Sequence, residues 1–200
     1  MGGWNAARPV TVASNDMANS AAARRDRIRS ALDQYQGRLI RFAARITGDL
    51  ESARDVVQDT FLRLCAQDLD AIGDHLPAWL FKVCRNRALD IKRKEGPLEP
   101  LDNTSNGPVH RAGIDPERLL EQSDAARLAL AAIAELPAAQ QEVLRLRFQE
   151  ELSYKEISAV TRHSVGSVGF LIHTGLQRVR RRLRADSDVR PRLEGGRIDA

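Results

Sequence analysis

Only two cysteines, Cys65 and Cys84, occur in the 200 residues, and they form no CxxC pair. With His75 alone between them they do not make a zinc ligand set. They read as reduced, partly buried thiols of a cytosolic protein. No apolar run approaches the ~20 residues of a membrane span, and the N-terminus lacks the apolar core of a secretory signal. The expectation is a soluble, cytoplasmic chain with no membrane insertion. Thirteen glycines and eight prolines are too few to suggest disorder throughout. No phosphate-cradling Gly-rich loop, metal-ligand cluster or nucleophile elbow is present. Neither catalytic residues nor a metal or cofactor is therefore expected. Gly166 and Gly169 have the GxxG spacing of KH domains, but that fold needs strands. No alternating strand pattern, internal repeat or heptad array occurs, so the chain reads as all-α.

What is there centres on residues 153–183, SYKEISAVTRHSVGSVGFLIHTGLQRVRRRL. Ser153 and Glu156 have capping-box spacing. Ile157 and Val160 then share a face of a short helix, and Thr161, Arg162 and His163 break the pattern. Ser164 can cap a second helix, whose apolar stripe is Val165, Val168, Ile172, Leu176, Val179 and Leu183. A short helix, a tight turn and a longer helix is the helix-turn-helix layout, whose second helix enters a major groove. On hydrophobic pattern alone an ordinary helical hairpin fits as well. Two features favour the groove. Arg178, Arg180, Arg181, Arg182 and Arg184 make a cationic end suited to phosphates. Gly166, Gly169 and Gly175 each cost a helix about 1 kcal/mol relative to alanine, which suggests that another backbone comes close.

Upstream, residues 1–24 read as a flexible tail. A first helix starts near Arg25, with Ile28, Leu32, Tyr35, Leu39, Phe42, Ala43 and Ile46 inward, and Gly48 ends it. Asp49 caps a second helix with Ala53, Val56, Val57, Phe61 and Leu64 inward. After a break at Gly73–Pro77, a third runs to Lys94 with Leu80, Val83, Cys84, Ala88 and Ile91 inward. These three make a first domain, residues 25–95. Residues 96–118 read as a linker. Helices opening at Asp115–Pro116 and at Pro137 join the helix-turn-helix in a second domain, residues 119–184, followed by a tail, 185–200. The architecture expected is two small helical domains joined by a flexible acidic linker.

The net charge is +4 and the pI about 9.5, which fits nucleic acid without demanding it. The distribution is more telling. Residues 76–94 carry Lys82, Arg85, Arg87, Lys92, Arg93 and Lys94 against Asp90 alone, and residues 125–184 carry ten basic against five acidic residues. Between them, residues 97–124 hold Arg111 and Arg118 against six carboxylates. Two basic blocks thus flank an acidic connector. The basic helix around Trp79 is compatible both with a solvated face and with cations tracking phosphate.

Three stretches, ARDVVQDTFLRL, WLFKVCRNRALDIKRK and LPAAQQEVLRLRFQEELSYKEIS, resemble in order and spacing regions 2 and 4 of extracytoplasmic-function sigma factors. The resemblance covers about residues 25–95 and 120–184. It implies a promoter-specificity subunit whose partners are core RNA polymerase and double-stranded and melted promoter DNA, and it leaves room for an anti-sigma factor. It implies polymerase docking through Asp55, Gln58, Asp59, Phe61 and Arg63. It implies contact with the −10 element through Trp79, Lys82, Arg85, Asn86, Asp90, Lys92 and Arg93. For the −35 element it implies Ser153, Tyr154, Lys155, Ser164, Ser167, Gly169, Phe170, His173, Arg178, Arg180 and Arg181. The connector would thread toward the RNA exit path. The competing reading is a stand-alone helix-turn-helix regulator with a helical sensor domain, which has no use for a polymerase-docking helix.

The chain departs from the family pattern in the recognition helix. Arg162 stands where a turn glycine is frequent. Between Val165 and His173 there is no Arg, Lys, Asn or Gln, the usual bidentate base readers. Readout there falls to Ser167, Phe170 and His173. Phe170 lies about 160° from the stripe of Val168 and Ile172, so it is expected exposed rather than in the core.

Overall fold

A computed structural model describes residues 11–95 and 124–189, with side chains over 20–94 and 126–185. The expected linker and the helix start at Asp115–Pro116 lie outside the described residues, as do the first ten residues and most of the C-terminal tail. The described residues are helical without strands. The helices are α1 (Thr11–Thr47), α2 (Leu50–Cys65), α3 (Leu69–Ile72), α4 (Leu76–Glu95), α5 (Asp124–Ala134), α6 (Ala138–Phe148), α7 (Tyr154–Thr161) and α8 (Val165–Val189), with one 3₁₀ turn at Gly73–His75.

Helices α1, α2 and α4 form the first bundle. Tyr35, Leu39, Phe42, Ala43, Val56, Val57, Phe61, Leu64, Leu80, Phe81, Cys84 and Ala88 are buried, as the spacing of apolar positions dictates. Phe42 and Phe81 meet edge to face, their centroids 5.2 Å apart, a geometry worth ~0.5–1.5 kcal/mol beyond area burial. The Asp49 side chain accepts from Ser52 N at 2.7 Å and caps α2. Those hydrogen bonds hold its carboxyl below the usual value. Gly48, at φ 82°, makes the corner before it.

α1 begins at Thr11, inside the stretch expected to be a flexible tail. Its N-terminal half has a structural use. Arg24 donates to the carbonyls of Cys65 and Gln67 at 2.5 and 3.0 Å, and Arg27 donates to the Asp70 carboxylate and to the Leu69 carbonyl. Two guanidinium groups thereby hold the exposed C-terminal end of α2 and the short α3.

Helices α5 to α8 form the second bundle. The capping box is formed: Ser153 Oγ accepts from Glu156 N, and Glu156 Oε2 accepts from Ser153 N at 2.8 Å. The Gln141 side chain donates to the carbonyls of Ala134 and Leu136, closing the end of α5. Within this chain, side chains and not backbone are the nearest atoms to the glycines of α8. A Cβ on Gly175 would lie 3.0 Å from Leu144 Cδ1, so α6 crosses α8 closely there through a side chain. At Gly169 the nearest atom is Tyr154 Cε2, and Gly166 has only Ser164 Oγ nearby.

Candidate polymerase and nucleic-acid interfaces

On α2, Asp55, Gln58 and Arg63 are exposed beside Leu62, which is 63% exposed. Phe61 is a correction to the docking set. It is buried in the first core, because it follows the same stripe as Val57 and Leu64. The apolar residue on the outer face is Leu62, one position further round the helix. Asp59 has a second role. Its Oδ2 lies 3.2 Å from Arg63 and 3.2 Å from Arg87 of α4, so it bridges two helices as well as facing outward.

On α4 the expected −10 residues divide into two groups. Lys82, Lys92 and Arg93 are exposed to water, and Asp90 pairs with Arg93 one turn away. Trp79 is partly buried against the core, which fits an anchor at the start of the helix. Arg85 and Asn86, also expected at the −10 element, are half-buried and meet the second bundle. Arg85 donates through Nε and Nη2 to the two oxygens of Glu142 on α6, at 2.7 and 3.1 Å. Its side chain is only 13% exposed. Asn86 Oδ1 accepts from Arg162 at 3.3 Å.

Those contacts belong to a seam between the two bundles that sequence reasoning missed. Arg38 of α1 donates to Glu150 at 2.6 Å and to the Gln149 carbonyl at 3.0 Å. His75 stands 3.6 Å from Glu156. Arg38, Arg41 and Arg45 all act on the Glu150 carboxylate. Burial pushes the Glu150 carboxyl up, against the opposing pull of Arg38, Arg41 and Arg45. Burial and the charge of Arg45 push Arg145 down to about 10, and burial with Arg41 lowers Arg45. Pair partners of this kind are invisible to one-dimensional spacing, since Arg85 and Glu142 are 57 positions apart.

The helix-turn-helix is α7 and α8. Arg162 takes the left-handed conformation at φ 63°, ψ 15°, the backbone a turn glycine would supply, and its N–H bonds the Ser158 carbonyl. The Ser158 hydroxyl donates to the His163 carbonyl at 2.7 Å. Ser164 accepts from Ser167 N, and the two hydroxyls share a 2.8 Å hydrogen bond, so both are engaged locally. Ser153 is likewise occupied by its cap. Tyr154 is 40% exposed beneath the Arg147 guanidinium, and Lys155 is exposed. Phe170 is 67% exposed, as its helical position requires. His173 bonds Gln177 at 2.9 Å. Beyond them, Arg180, Arg181 and Arg184 share one exposed, cationic face of α8 with Gln177. Arg178 reaches back to Gln140 at 3.1 Å.

Residues 31–97 match the family model "Sigma-70 region 2" and residues 126–179 match "Sigma-70, region 4". The chain is 30% identical to the ECF RNA polymerase sigma factor SigL of Mycobacterium tuberculosis over 82% of this chain and 93% of the relative. It is 26% identical to the ECF RNA polymerase sigma factor SigW of Bacillus subtilis over 80% of this chain and 90% of the relative. Its fold is similar to the sigma factor RpoE of Bartonella quintana, solved in complex with the anti-sigma factor NepR. That match has a TM-score of 0.58 at 24% identity and covers 79% of this chain and 97% of that one. Two family models in the order of the two bundles, with a relative at this identity along nearly the whole chain, make this protein a member of the extracytoplasmic-function RNA polymerase sigma factors.

Proposed function

We propose that this sigma factor docks on core polymerase through the outer face of α2, engages the melted −10 strand with α4 and reads the −35 element with α8. It acts by binding, not by catalysis, in the compartment where core polymerase works, the cytoplasm. The observation that carries the reading is the division of surface character. An exposed apolar Leu62 set among Asp55, Gln58 and Arg63 suits a protein partner. Lys82, Lys92 and Arg93 on α4, and Arg180, Arg181 and Arg184 on α8, suit phosphate. The −35 face has one exposed aromatic and no bidentate base reader, so much of its affinity rests on phosphate contacts and DNA shape. An anti-sigma factor is proposed as a further partner, by analogy with the Bartonella protein.

The test is transcription from a genomic promoter pool with purified core polymerase, with and without this protein. Core-dependent initiation at a defined promoter set supports the reading. Site-specific DNA binding that needs no polymerase, with no initiation, would favour a stand-alone regulator. Within the first outcome, Lys82→Ala with Lys92→Ala is expected to slow promoter opening while core affinity is kept. Unchanged permanganate reactivity of promoter thymines would remove the −10 assignment from α4.

A further inference from the structure

We propose that Arg27 is a positioning residue for promoter opening: from α1 it holds the corner between α2 and α4, and so fixes where the strand-binding helix α4 begins. The inference rests on the reading of α4 as the −10 surface.

The corner has little of its own to keep it in place. Between the end of α2 at Cys65 and the start of α4 at Leu76 lie the four-residue α3 and one 3₁₀ turn. A single helical turn is far below the ~12–15 residues at which an isolated helix becomes marginally stable. Within it, the Asp68 carboxylate accepts from Asp70 N at 2.9 Å, and Ile72 N donates to the Asp68 carbonyl at 3.3 Å. Across residues 66–75 only Leu69 is buried and only Ile72 is half-buried. Gly73 sits at φ 53°, with nothing within 4 Å of where its Cβ would be. Hydrophobic burial therefore fixes the corner at one point, and one point leaves it free to pivot.

Arg27 supplies the missing constraint. Its Nη1 donates to the Asp70 carboxylate and its Nη2 to the Leu69 carbonyl, the latter at 3.0 Å. A guanidinium is planar, so bonds from its two ends fix an orientation as well as a distance. The two side chains are 51% and 87% exposed, so the ion pair adds little to global stability. Its effect is local, tying backbone and side chain of α3 to α1. α1 is itself rooted in the first core by Ala31 and Tyr35, one and two turns further on. No residue separates the 3₁₀ turn from α4, because His75 is followed by Leu76. Leu76 and Trp79, both in the first turn of α4, pack against the core. A shift of the corner thus passes straight into the turn that carries Trp79. Arg24 has a different target, the carbonyls of Cys65 and Gln67 at the end of α2. Only Arg27 grips the segment that leads into α4.

The experiment uses the full chain, core polymerase and a promoter drawn from the transcription pool. The variants are Arg27→Ala and Arg27→Lys. The readouts are core affinity in solution, the melting temperature, amide hydrogen exchange across residues 69–79, and the opening rate at saturating holoenzyme, from 2-aminopurine placed in the −10 element. Arg27→Ala is expected to quicken exchange across 69–79 and to slow opening roughly three- to tenfold, the rate equivalent of one net hydrogen bond from a charged group. Core affinity and melting temperature are expected to match wild type. Arg27→Lys keeps the charge on Asp70 but loses the planar fork, and should fall between the two. An Arg27→Ala protein that opens the promoter at the wild-type rate would overturn the proposal, and the α4 reading would stand if Lys82→Ala with Lys92→Ala still slowed opening. Slow opening with unchanged exchange at 69–79, or with a parallel loss of core affinity or melting temperature, would equally overturn the positioning role. If neither Arg27→Ala nor the lysine pair slowed opening, the α4 reading would fall and the proposal with it.

Discussion

Replacing Phe170 by Ala separates recognition from stability, because the side chain is two-thirds exposed. Burying a whole phenylalanine removes ~150–250 Å² from water. The third that is covered here amounts to about 50–80 Å², or ~1–2 kcal/mol at ~25 cal/mol per Å². A compact unfolded chain lowers this by ~10–40%. Alanine also returns a few tenths of a kcal/mol through its better helix propensity, roughly. The net loss expected is therefore about 1 kcal/mol or less, against ~3–5 kcal/mol for a buried Phe→Ala. That is a shift of no more than ~4–8 °C in the melting temperature of a bundle this size. On DNA the same change is expected to alter preference at one or two base pairs by ~1–3 kcal/mol, through lost contact with thymine methyls. The assay is a randomised −35 selection with reconstituted holoenzyme, beside a thermal melt of the free protein. A large drop in melting temperature with an unchanged −35 preference would refute both the exposure argument and the groove assignment.

Asp55→Lys is expected to weaken core-polymerase affinity measured in solution while the melt is unchanged; equal affinity would remove the α2 docking face. Asp55 is a cleaner choice than Asp59, whose reversal would also set a third cation against Arg63 and Arg87. Gly175→Val should destabilise the second bundle by ~1–3 kcal/mol in a denaturant titration, because even its Cβ would meet buried Leu144 at 3.0 Å. Cys65 is exposed, whereas burial pushes the Cys84 thiol up to about 12. A thiol reagent at neutral pH should therefore label one cysteine quickly and the second only after unfolding, as mass spectrometry would read. The hydrogen bonds that lower the Asp49 carboxyl make its cap stabilising above the ordinary Asp value near 3.9. That contribution fades as pH falls through the lower folded value. Asp49→Ala should lose stability near neutral pH and converge with wild type in strong acid, by thermal melts across that range.

The first bundle was largely legible because its three main helices carry single apolar stripes that bury as spaced. The capping box at Ser153 and the exposure of Phe170 were legible for the same local reason. Phe61 shows the limit on one helix: an aromatic within a matching motif suggests contact with a partner, yet its own stripe puts it in the core, and Leu62 is the exposed neighbour. Arg85 shows the limit between helices. Its helix position gives no sign of Glu142, which lies beyond the connector, and no periodicity reports a pair across that distance. The short α3 was missed because it is held by Arg27 of α1, which meets it from far along the chain.

The corner at α3 has a practical bearing on how the protein is trimmed. A shortened chain starting at Arg29 would keep every buried residue of the first bundle from Ala31 onward, yet lose both Arg24 and Arg27. The carbonyls of Cys65, Gln67 and Leu69 would then be left to water, and the last turn of α2 would fray toward Leu62 and Arg63. Amide hydrogen exchange in that turn should quicken while the rest of α2 stays protected. Such a trimmed protein would melt almost normally and still lose its grip on polymerase, so a shortened form can pass a folding check and fail in transcription.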